Sequence, residues 1–403
     1  MFADAAAPIE QLIRPVLAAA GLAIVIGALA SLSPRWPVAL SAFVAGALVV
    51  PVFTLPVAIV AVAATAMLAI LRMRPRGADR ALLILAVAWF AVAGVRAASV
   101  IDLSAPQVAA ASSSGDAPIV LILLDGYPRE DTLIDLGVDN GAFYSALEER
   151  GFDIYPTATS VHGWTHRTLQ AMLVGSAEGI PDEAGPVDAL RAVRQQLVAP
   201  DGWDLLDPPN GHTTLRGGNH LGPGGINEIE THLLAQSIIG KVLPGLGRQL
   251  IADALRSRLD RGLEILTTYD GPRMFAHLLT PHPPFLWNDV GEPIPIQQCW
   301  PDCQAFHAAI EQVPRTMNAW AAGMGNQLEA LNPRLLAAID SITDREPDAV
   351  IVLFSDHGAR YSYRTRDEWH RSFLAARTPG NPELFANEPH PHAVLRLVEE
   401  AYP

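Results

Sequence analysis

Hydrophobic residues follow two different patterns along this 403-residue chain. From Ile13 to about Ile101 the sequence is nearly all Ala, Val, Leu and Ile, broken by short polar or proline-containing turns. Because a bilayer-spanning helix needs about 20 apolar residues, this pattern predicts four membrane spans, roughly at 13–32, 37–53, 55–71 and 79–98. The second and third spans are short and meet near Pro51 and Pro56, so they could instead form one re-entrant pair. A cleaved signal peptide does not fit, since no basic segment precedes this long apolar region.

After residue 117 the pattern changes to short apolar runs that alternate with amphipathic segments. Such alternation predicts an α/β domain with a mostly parallel sheet covered by helices on both faces. We predict strands near 118–124, 152–156, 213–216, 274–279 and 349–354, and helices near 139–150, from about 165, and near 247–267, 305–330 and 333–343. Residues 104–117 are small and polar, which predicts a linker. The predicted organisation is a transmembrane region at 1–103, this linker, and a catalytic domain at 118–403.

The charge distribution predicts which side of the membrane the catalytic domain occupies. Arg72, Arg74, Arg76 and Arg80 form the only dense basic loop, which should be cytoplasmic. The fourth span then delivers the following domain to the outer side. Residues 1–100 carry seven Arg and three acids, a net +4, so the chain total of −14 leaves −18 for the rest. The sequence thus predicts a lipid bilayer as one partner and excludes nucleic acid as another.

The two cysteines are Cys299 and Cys303. In an oxidising compartment outside the cytoplasm they could close a small disulfide loop. A metal-binding pair is the alternative, but the spacing lacks nearby His or Cys partners.

Two predicted strands end at acids. The apolar run 118–124 stops at Asp125, and the run 349–354 stops one residue before Asp356 and His357. In open α/β sheets, ligands bind beyond the carboxyl ends of the strands. If the two strands are neighbours, these three side chains meet and offer two carboxylates and one imidazole to a divalent cation. The alternative is that each acid only caps a helix or a turn.

A candidate nucleophile lies at the predicted start of a helix near residue 165. Gly163 interrupts regular structure, and an apolar helix pattern begins at Thr165. A hydroxyl at a helix N-terminus lies in positive potential beside free amide donors, which favours an alkoxide and an incoming anion such as phosphate. Alternatively, Thr165 is only the helix cap.

Four stretches occur in the order found in the alkaline phosphatase superfamily. They are Leu-Leu-Asp-Gly-Tyr-Pro-Arg at 123–129, Gly-Trp-Thr at 163–165, His-Leu-Leu-Thr-Pro-His-Pro-Pro-Phe at 277–285 and Phe-Ser-Asp-His-Gly at 354–358. Over about residues 118–380 the chain resembles the membrane-anchored, sulfatase-like branch of that superfamily, which includes lipoteichoic acid synthases and phosphoethanolamine transferases. The resemblance implies an alkaline-phosphatase-like α/β/α domain after the transmembrane helical bundle.

The resemblance also implies a site. Its metal ligands would be Asp125, Thr165, Asp356 and His357, with Thr165 as the nucleophile. His282 would touch the transferred group, whereas His277 is more simply a buried strand histidine.

Two arginines are further candidates for binding the transferred group. They are Arg129 and Arg216, although each could equally form a surface ion pair.

Mixed oxygen and nitrogen ligands suit one Zn²⁺ or Mn²⁺, with Mg²⁺ or Ca²⁺ as alternatives. A second metal stays open, because its candidate ligands stand in no motif; they are Asp289, His370, His390 and His392.

The sequence departs from parts of this superfamily in two informative ways. The Cys/Ser-x-Pro-x-Arg motif of true sulfatases is absent around Thr165, which disfavours sulfate-ester hydrolysis. Asp125 stands where lipoteichoic acid synthases and phosphoethanolamine transferases have Glu, and in this it is more similar to nucleotide pyrophosphatases.

The expected function is a metal-dependent phosphoryl or phosphodiester transferase or hydrolase that forms a covalent phosphothreonine. The membrane anchor suggests an envelope or lipid-linked phosphate ester as the substrate. The alternatives are a sulfuric ester hydrolase and a non-catalytic membrane protein on the same fold.

Overall fold

A computed structural model describes residues 117–180, 197–206, 215, 217–221, 244–296, 314–359 and 367–403. All of these except 244–247 belong to one compact unit. The predicted membrane spans, nearly all of the linker, Arg216 and both cysteines lie outside the described residues. Within the described ranges, no helix is both long enough and apolar enough to cross a bilayer.

The unit is built on a seven-stranded mixed sheet with the order β2-β7-β6-β1-β5-β3-β4. Pairings of β1 with β5 and β6, and of β3 with β4 and β5, are parallel, whereas β7 pairs antiparallel with β2 and β6. The strands are β1 Ile119–Leu124, β2 Asp153–Ile154, β3 Asp204–Leu206, β4 Asn219–His220, β5 Arg273–Leu278, β6 Val350–Phe354 and β7 Leu374–Arg377. The predicted mostly parallel α/β sheet is thus confirmed.

Helices connect these strands along the chain. They are α1 Glu130–Asp135, α2 Gly141–Glu149, α3 Thr165–Val174, α4 Pro244–Thr268, α5 Pro314–Arg345, α6 Asp367–His370 and α7 Val394–Ala401, with a short 3₁₀ turn at Pro391–Ala393. The predicted helices near 139–150, from 165 and near 247–267 are therefore confirmed.

The central strand β1 is buried along its whole length, which explains its continuous apolar sequence. On one face, Leu121 and Leu123 join a core cluster that includes Leu169 of α3 and Val394 of α7. On the other face, α4 approaches so closely that a Cβ on Gly262 would lie 3.2 Å from Leu278 Cδ2. Helices therefore cover both faces, and the carboxyl ends of the parallel strands remain available for a site.

One prediction about the helices was wrong. The sequence predicts separate helices near 305–330 and 333–343, but α5 runs without interruption from Pro314 through Pro333 to Arg345. An interior proline removes one backbone hydrogen bond and costs about 3 kcal/mol. Leu331 and Leu335, on either side of the proline, are completely buried. Their burial offsets this cost and keeps one helix rather than two.

Candidate metal centre and nucleophile

The two acid-terminated strands are direct neighbours. β1 and β6 run parallel with Leu123 opposite Phe354, so Asp125 and Asp356 emerge at the same edge of the sheet. Their relative exposures are 5% and 0%. The Asp125 amide donates to the carbonyl of Leu278, which ties the end of β1 to β5. The sheet therefore brings together the acids that the sequence places at two strand ends.

Two histidines complete a compact group around Asp125. Nε2 of His357 lies 3.6 Å from Asp125 Oδ1 and 3.3 Å from Asp356 Oδ2. Asp125, His282 and His357 each offer one ligand atom, and these three atoms lie within 4.8 Å of one another. The sequence motif leads us to expect His282 on the transferred group, whereas the structure places it among the candidate ligands. The loop 279–282 after β5 carries it there.

Backbone carbonyls fix the orientation of both histidine rings. His357 Nδ1 lies 2.7 Å from the carbonyl of Gly358, and His282 Nδ1 lies 2.6 Å from that of Pro283. Because a carbonyl can only accept, each Nδ1 carries the proton and donates it. When a ring is neutral, its Nε2 atom presents a lone pair, and Nε2 of His357 faces two carboxylates. Such backbone-oriented imidazoles are typical of metal ligands.

Burial and nearby charges shift the pKa values of the two carboxyls in opposite directions. Burial and the Asp125 charge raise the pKa of Asp356 to about 6, against the hydrogen bonds that it receives from Thr165 and the Gly126 amide. Burial alone would raise the pKa of Asp125 too, but His282, His277 and His357 outweigh it and hold that pKa well below its usual range. The two buried carboxylates therefore repel each other beside the two histidines.

His277 contacts the Asp125 carboxylate through one of its two oxygens. It is a buried strand histidine, as its sequence context favours, but its Nε2 also lies 3.3 Å from Asp125 Oδ2. The other oxygen, Oδ1, has no hydrogen-bond donor within the described part of the chain. His277 therefore orients the carboxylate and leaves Oδ1 to a ligand. His277 lies opposite Leu123 in the neighbouring strand. This role could be recognised from the sequence only if the register of β1 and β5 were already known.

Thr165 is the first residue of α3, as the sequence predicts. Trp164 precedes it in an extended conformation at the N-cap position. The Thr165 side chain is buried, and it lowers the pKa of the neighbouring Asp356 carboxyl against the effect of burial. The candidate nucleophile therefore lies beside a candidate ligand, at a helix N-terminus whose positive potential favours anions.

Gly126 allows the parts of the site to approach one another. Its amide donates to Asp356 Oδ1 at 3.0 Å, which joins the ends of β1 and β6. Its φ is +64°, and a Cβ there would lie 3.1 Å from His357 Cε1 and 3.3 Å from His282 Cδ2. Glycine is therefore required both by the backbone conformation and by the two imidazoles.

The remaining sequence candidates take other positions. Arg129 donates to both oxygens of Asp131 and to the carbonyl of Ala158, so its guanidinium already forms a local ion pair. The sequence leaves open whether Arg129 binds the substrate or forms an ion pair, and the structure shows the ion pair.

Candidates for a second metal site are engaged in structural contacts. His370 Nδ1 donates to the carbonyl of Ser160, and His390 Nδ1 donates to that of Thr159. His390 also stacks on His392 at 5.3 Å between ring centroids. Among the described residues, the group at Asp125 is the one cluster of three suitable side chains with converging ligand atoms.

Comparison with known proteins gives structural neighbours only. Neither a family model nor a curated protein matches the chain. A zinc complex of the C-terminal periplasmic domain of EptC from Escherichia coli is 13% identical, with a TM-score of 0.42 over 74% of this chain and 86% of that one. The corresponding domain of the Campylobacter jejuni phosphoethanolamine transferase EptC is 10% identical, with a TM-score of 0.40 over 72% and 92%.

A phosphonate monoester hydrolase of Agrobacterium radiobacter is also similar, at 14% identity and a TM-score of 0.43 over 71% of this chain and 74% of that one. These neighbours are members of the alkaline phosphatase superfamily, which the sequence motifs resemble. A likeness at such low identities and TM-scores does not extend to function.

The residues fit a divalent metal ion. Two imidazole nitrogens and a carboxylate oxygen without a donor converge, and Asp356 adds a second carboxylate to the group. This donor set suits Zn²⁺ or Mn²⁺. A cation there would also relieve the repulsion between the two buried carboxylates.

Proposed function

We propose that this protein is a metal-dependent phosphoryl or phosphodiester transferase or hydrolase that works through a covalent phosphothreonine. The observation that carries the proposal is the position of Thr165. Its side chain is buried at the N-terminus of α3 next to Asp356, whose carboxyl pKa it lowers, and Asp356 adjoins the convergent group of Asp125, His282 and His357.

The residues of the site have two roles, which are binding an ion and attacking the substrate. Asp125, Asp356, His357 and Thr165 would bind one divalent ion, and the geometry adds His282 to this set. When bound, the ion supplies a Lewis acid that favours the ionised Thr165 hydroxyl and neutralises phosphoryl oxygens. His277 keeps Asp125 in its ligating orientation.

The proposed reaction has two half-reactions. In the first, Thr165 Oγ1 attacks phosphorus, the Oγ1–P bond forms, and the bond from phosphorus to the leaving oxygen breaks. The hydroxyl proton ends on the released alcohol. The positive potential at the start of α3 stabilises the charge on the phosphoryl oxygens during this step. In the second half-reaction, water or an acceptor hydroxyl takes the phosphoryl group from Thr165 and returns a proton to it.

A threonine at this position favours phosphoryl over sulfuryl chemistry. The sulfatases that the motifs resemble need a Cys or Ser that matures to formylglycine, and Thr165 cannot supply that aldehyde. We keep the wider substrate assignment, an envelope or lipid-linked phosphate ester on the outer side of the membrane, as part of the proposal. The apolar segment 13–98 supports it.

The proposal is tested by metal analysis together with hydrolysis of bis(p-nitrophenyl) phosphate. The purified parent should contain close to one equivalent of Zn²⁺ or Mn²⁺ and lose its activity with a chelator. Thr165→Ala should lose at least about a hundredfold in kcat because the covalent route is gone. Asp356→Ala should lose both metal and activity.

Thr132→Ala is the matched control for Thr165→Ala. Thr132 is an equally buried threonine in α1, and its hydroxyl has no hydrogen-bond partner among the described residues. Its substitution should leave kcat unchanged. Full metal content and full activity in both Thr165→Ala and Asp356→Ala would show that the site assignment is wrong.

A further inference from the structure

A second threonine of α3 contacts the strand end that carries the candidate ligands. Thr168 lies one helical turn after Thr165, on the same face, and is 1% exposed. Its Oγ1 donates to the main-chain carbonyl of Asp356 at 2.9 Å. The same helix therefore reaches Asp356 twice, through Thr165 at the side chain and through Thr168 at the backbone.

The direction of the Thr168 hydroxyl is set by its neighbours. Ser160 Oγ lies 3.2 Å from Thr168 Oγ1 and 2.8 Å from the carbonyl of His162. A carbonyl oxygen only accepts, so the proton of Thr168 is the one that satisfies Asp356, and Ser160 supplies its own proton to Thr168 or to His162. Ser160 is also buried, which shields this pair of hydroxyls from water.

The Asp356 carbonyl belongs to the peptide that joins the two candidate ligands of β6. A hydrogen bond at this carbonyl fixes the plane of the Asp356–His357 peptide and thereby the direction in which both side chains leave the backbone. The Gly126 amide holds the carboxylate of Asp356 at 3.0 Å. Asp356 is thus held at its side chain by the loop after β1 and at its main chain by α3.

We infer that Thr168, supported by Ser160, is a positioning residue that holds the nucleophile helix and the ligand peptide in register. This inference rests on the proposed function. Without the hydroxyl, the buried Asp356 carbonyl loses its side-chain donor, and α3 can move relative to the end of β6. A displacement of about 1 Å at a reacting centre can cost on the order of a hundredfold in rate. The distance from Thr165 to the ion would change even though neither residue is altered.

Substitution by an isosteric valine tests the inference, with serine as the rescue. Thr168→Val should lower kcat by about 10- to 100-fold with little change in KM. It should also weaken Zn²⁺ binding, measured by calorimetry on the metal-free protein, by about tenfold or more, as changes behind metal ligands do. Thr168→Ser keeps the hydroxyl and should recover most of both quantities.

Thr132→Val is the matched control, because it makes the same atomic change at a buried threonine whose hydroxyl has no partner among the described residues. The inference is overturned if Thr168→Val matches Thr132→Val in kcat and in Zn²⁺ affinity. It is also overturned if Thr168→Ser is as impaired as Thr168→Val, since the hydroxyl would then not be responsible. A parent that neither binds Zn²⁺ nor hydrolyses bis(p-nitrophenyl) phosphate would refute the proposed function and, with it, this inference.

Discussion

Among single residues, Gly126 has the most direct influence on the geometry of the site. Its positive φ turns the chain immediately after Asp125, and the absence of a side chain lets His282 and His357 close over it. A methyl group there would push against both imidazoles. The residue therefore contributes to metal binding without being a ligand itself.

Gly126→Ala should weaken Zn²⁺ binding by about 10- to 100-fold. The variant should also lose about 1–2 kcal/mol of stability, because alanine is strained in the left-handed backbone conformation at this position. Gly151→Ala is the control, since Gly151 has a φ of +78° and a Cβ added there would meet no atom within 4 Å. Calorimetric titration should show normal affinity in Gly151→Ala, and equal affinities in the two variants would contradict the explanation.

The raised pKa of Asp356 predicts an unusual pH dependence in the metal-free protein. Between its ordinary pKa of 3.8 and about 6, the folded state holds a proton on Asp356 that the unfolded state has lost. The unfolded state then binds fewer protons, so this group makes stability fall as pH rises through that window. The lowered pKa of Asp125 has the opposite effect, and only below 3.8.

Thermal unfolding with a chelator present would measure this effect. The Tm of the parent should fall relative to that of Asp356→Asn between about pH 4 and about pH 6, because asparagine cannot titrate. The two Tm values should run parallel above that window. A difference that stays constant across the window would show that Asp356 titrates normally in the folded protein.

Sequence reasoning finds some residues of the site and misses others for a physical reason. Asp125, Asp356 and His357 are predictable because each closely follows a buried strand. The contact between His277 and Asp125 depends on the register of two strands that lie about 150 residues apart. The position of His282 beside Asp125 depends on how a loop folds back, which no local pattern encodes.

Among the elements, the long helix α5 shows where a local rule gives way to packing. Proline predicts a helix break, yet Pro333 lies inside the helix between buried turns. Next to it, Asn332 accepts a hydrogen bond from the buried Tyr127 hydroxyl and donates to Asn140. These contacts anchor α5 to the loop that follows Asp125.

Pro333→Ala should stabilise the protein, since alanine restores a backbone donor within the helix. We expect a gain of about 1–2 kcal/mol, less than the full helix penalty because proline also restricts the unfolded chain. The Tm should rise while Zn²⁺ affinity stays unchanged. A lower Tm would indicate that the proline ring itself is packed favourably.

The short strands are the other elements that sequence does not predict. β3, β4 and β7 have only two to four residues each and lack a recognisable alternation. β3 and β7 are defined by pairing to the longer strands β5 and β6, and β4 by pairing to β3, which is a tertiary property. The long buried strands β1, β5 and β6 and the helices α2, α3 and α4, in contrast, carry their own hydrophobic pattern and are predicted correctly.

For the whole molecule, the sequence predicts a division between a membrane-embedded part and an acidic catalytic part. The full chain should stay in the membrane pellet after alkaline carbonate washing, because residues 13–98 are apolar enough for several spans. A chain that begins at residue 118 should be released by the same wash. Release of the full chain into the supernatant would contradict the predicted transmembrane region.

The central claim is that phosphoryl transfer proceeds through Thr165. Its most direct test is mass spectrometry of the metal-loaded full chain, quenched with acid during turnover of bis(p-nitrophenyl) phosphate. We predict a phosphodiester adduct on the peptide that contains Thr165, absent from Thr165→Ala and from protein treated with a chelator. Rapid turnover without any adduct on Thr165, or an adduct that persists in Thr165→Ala, would contradict the account.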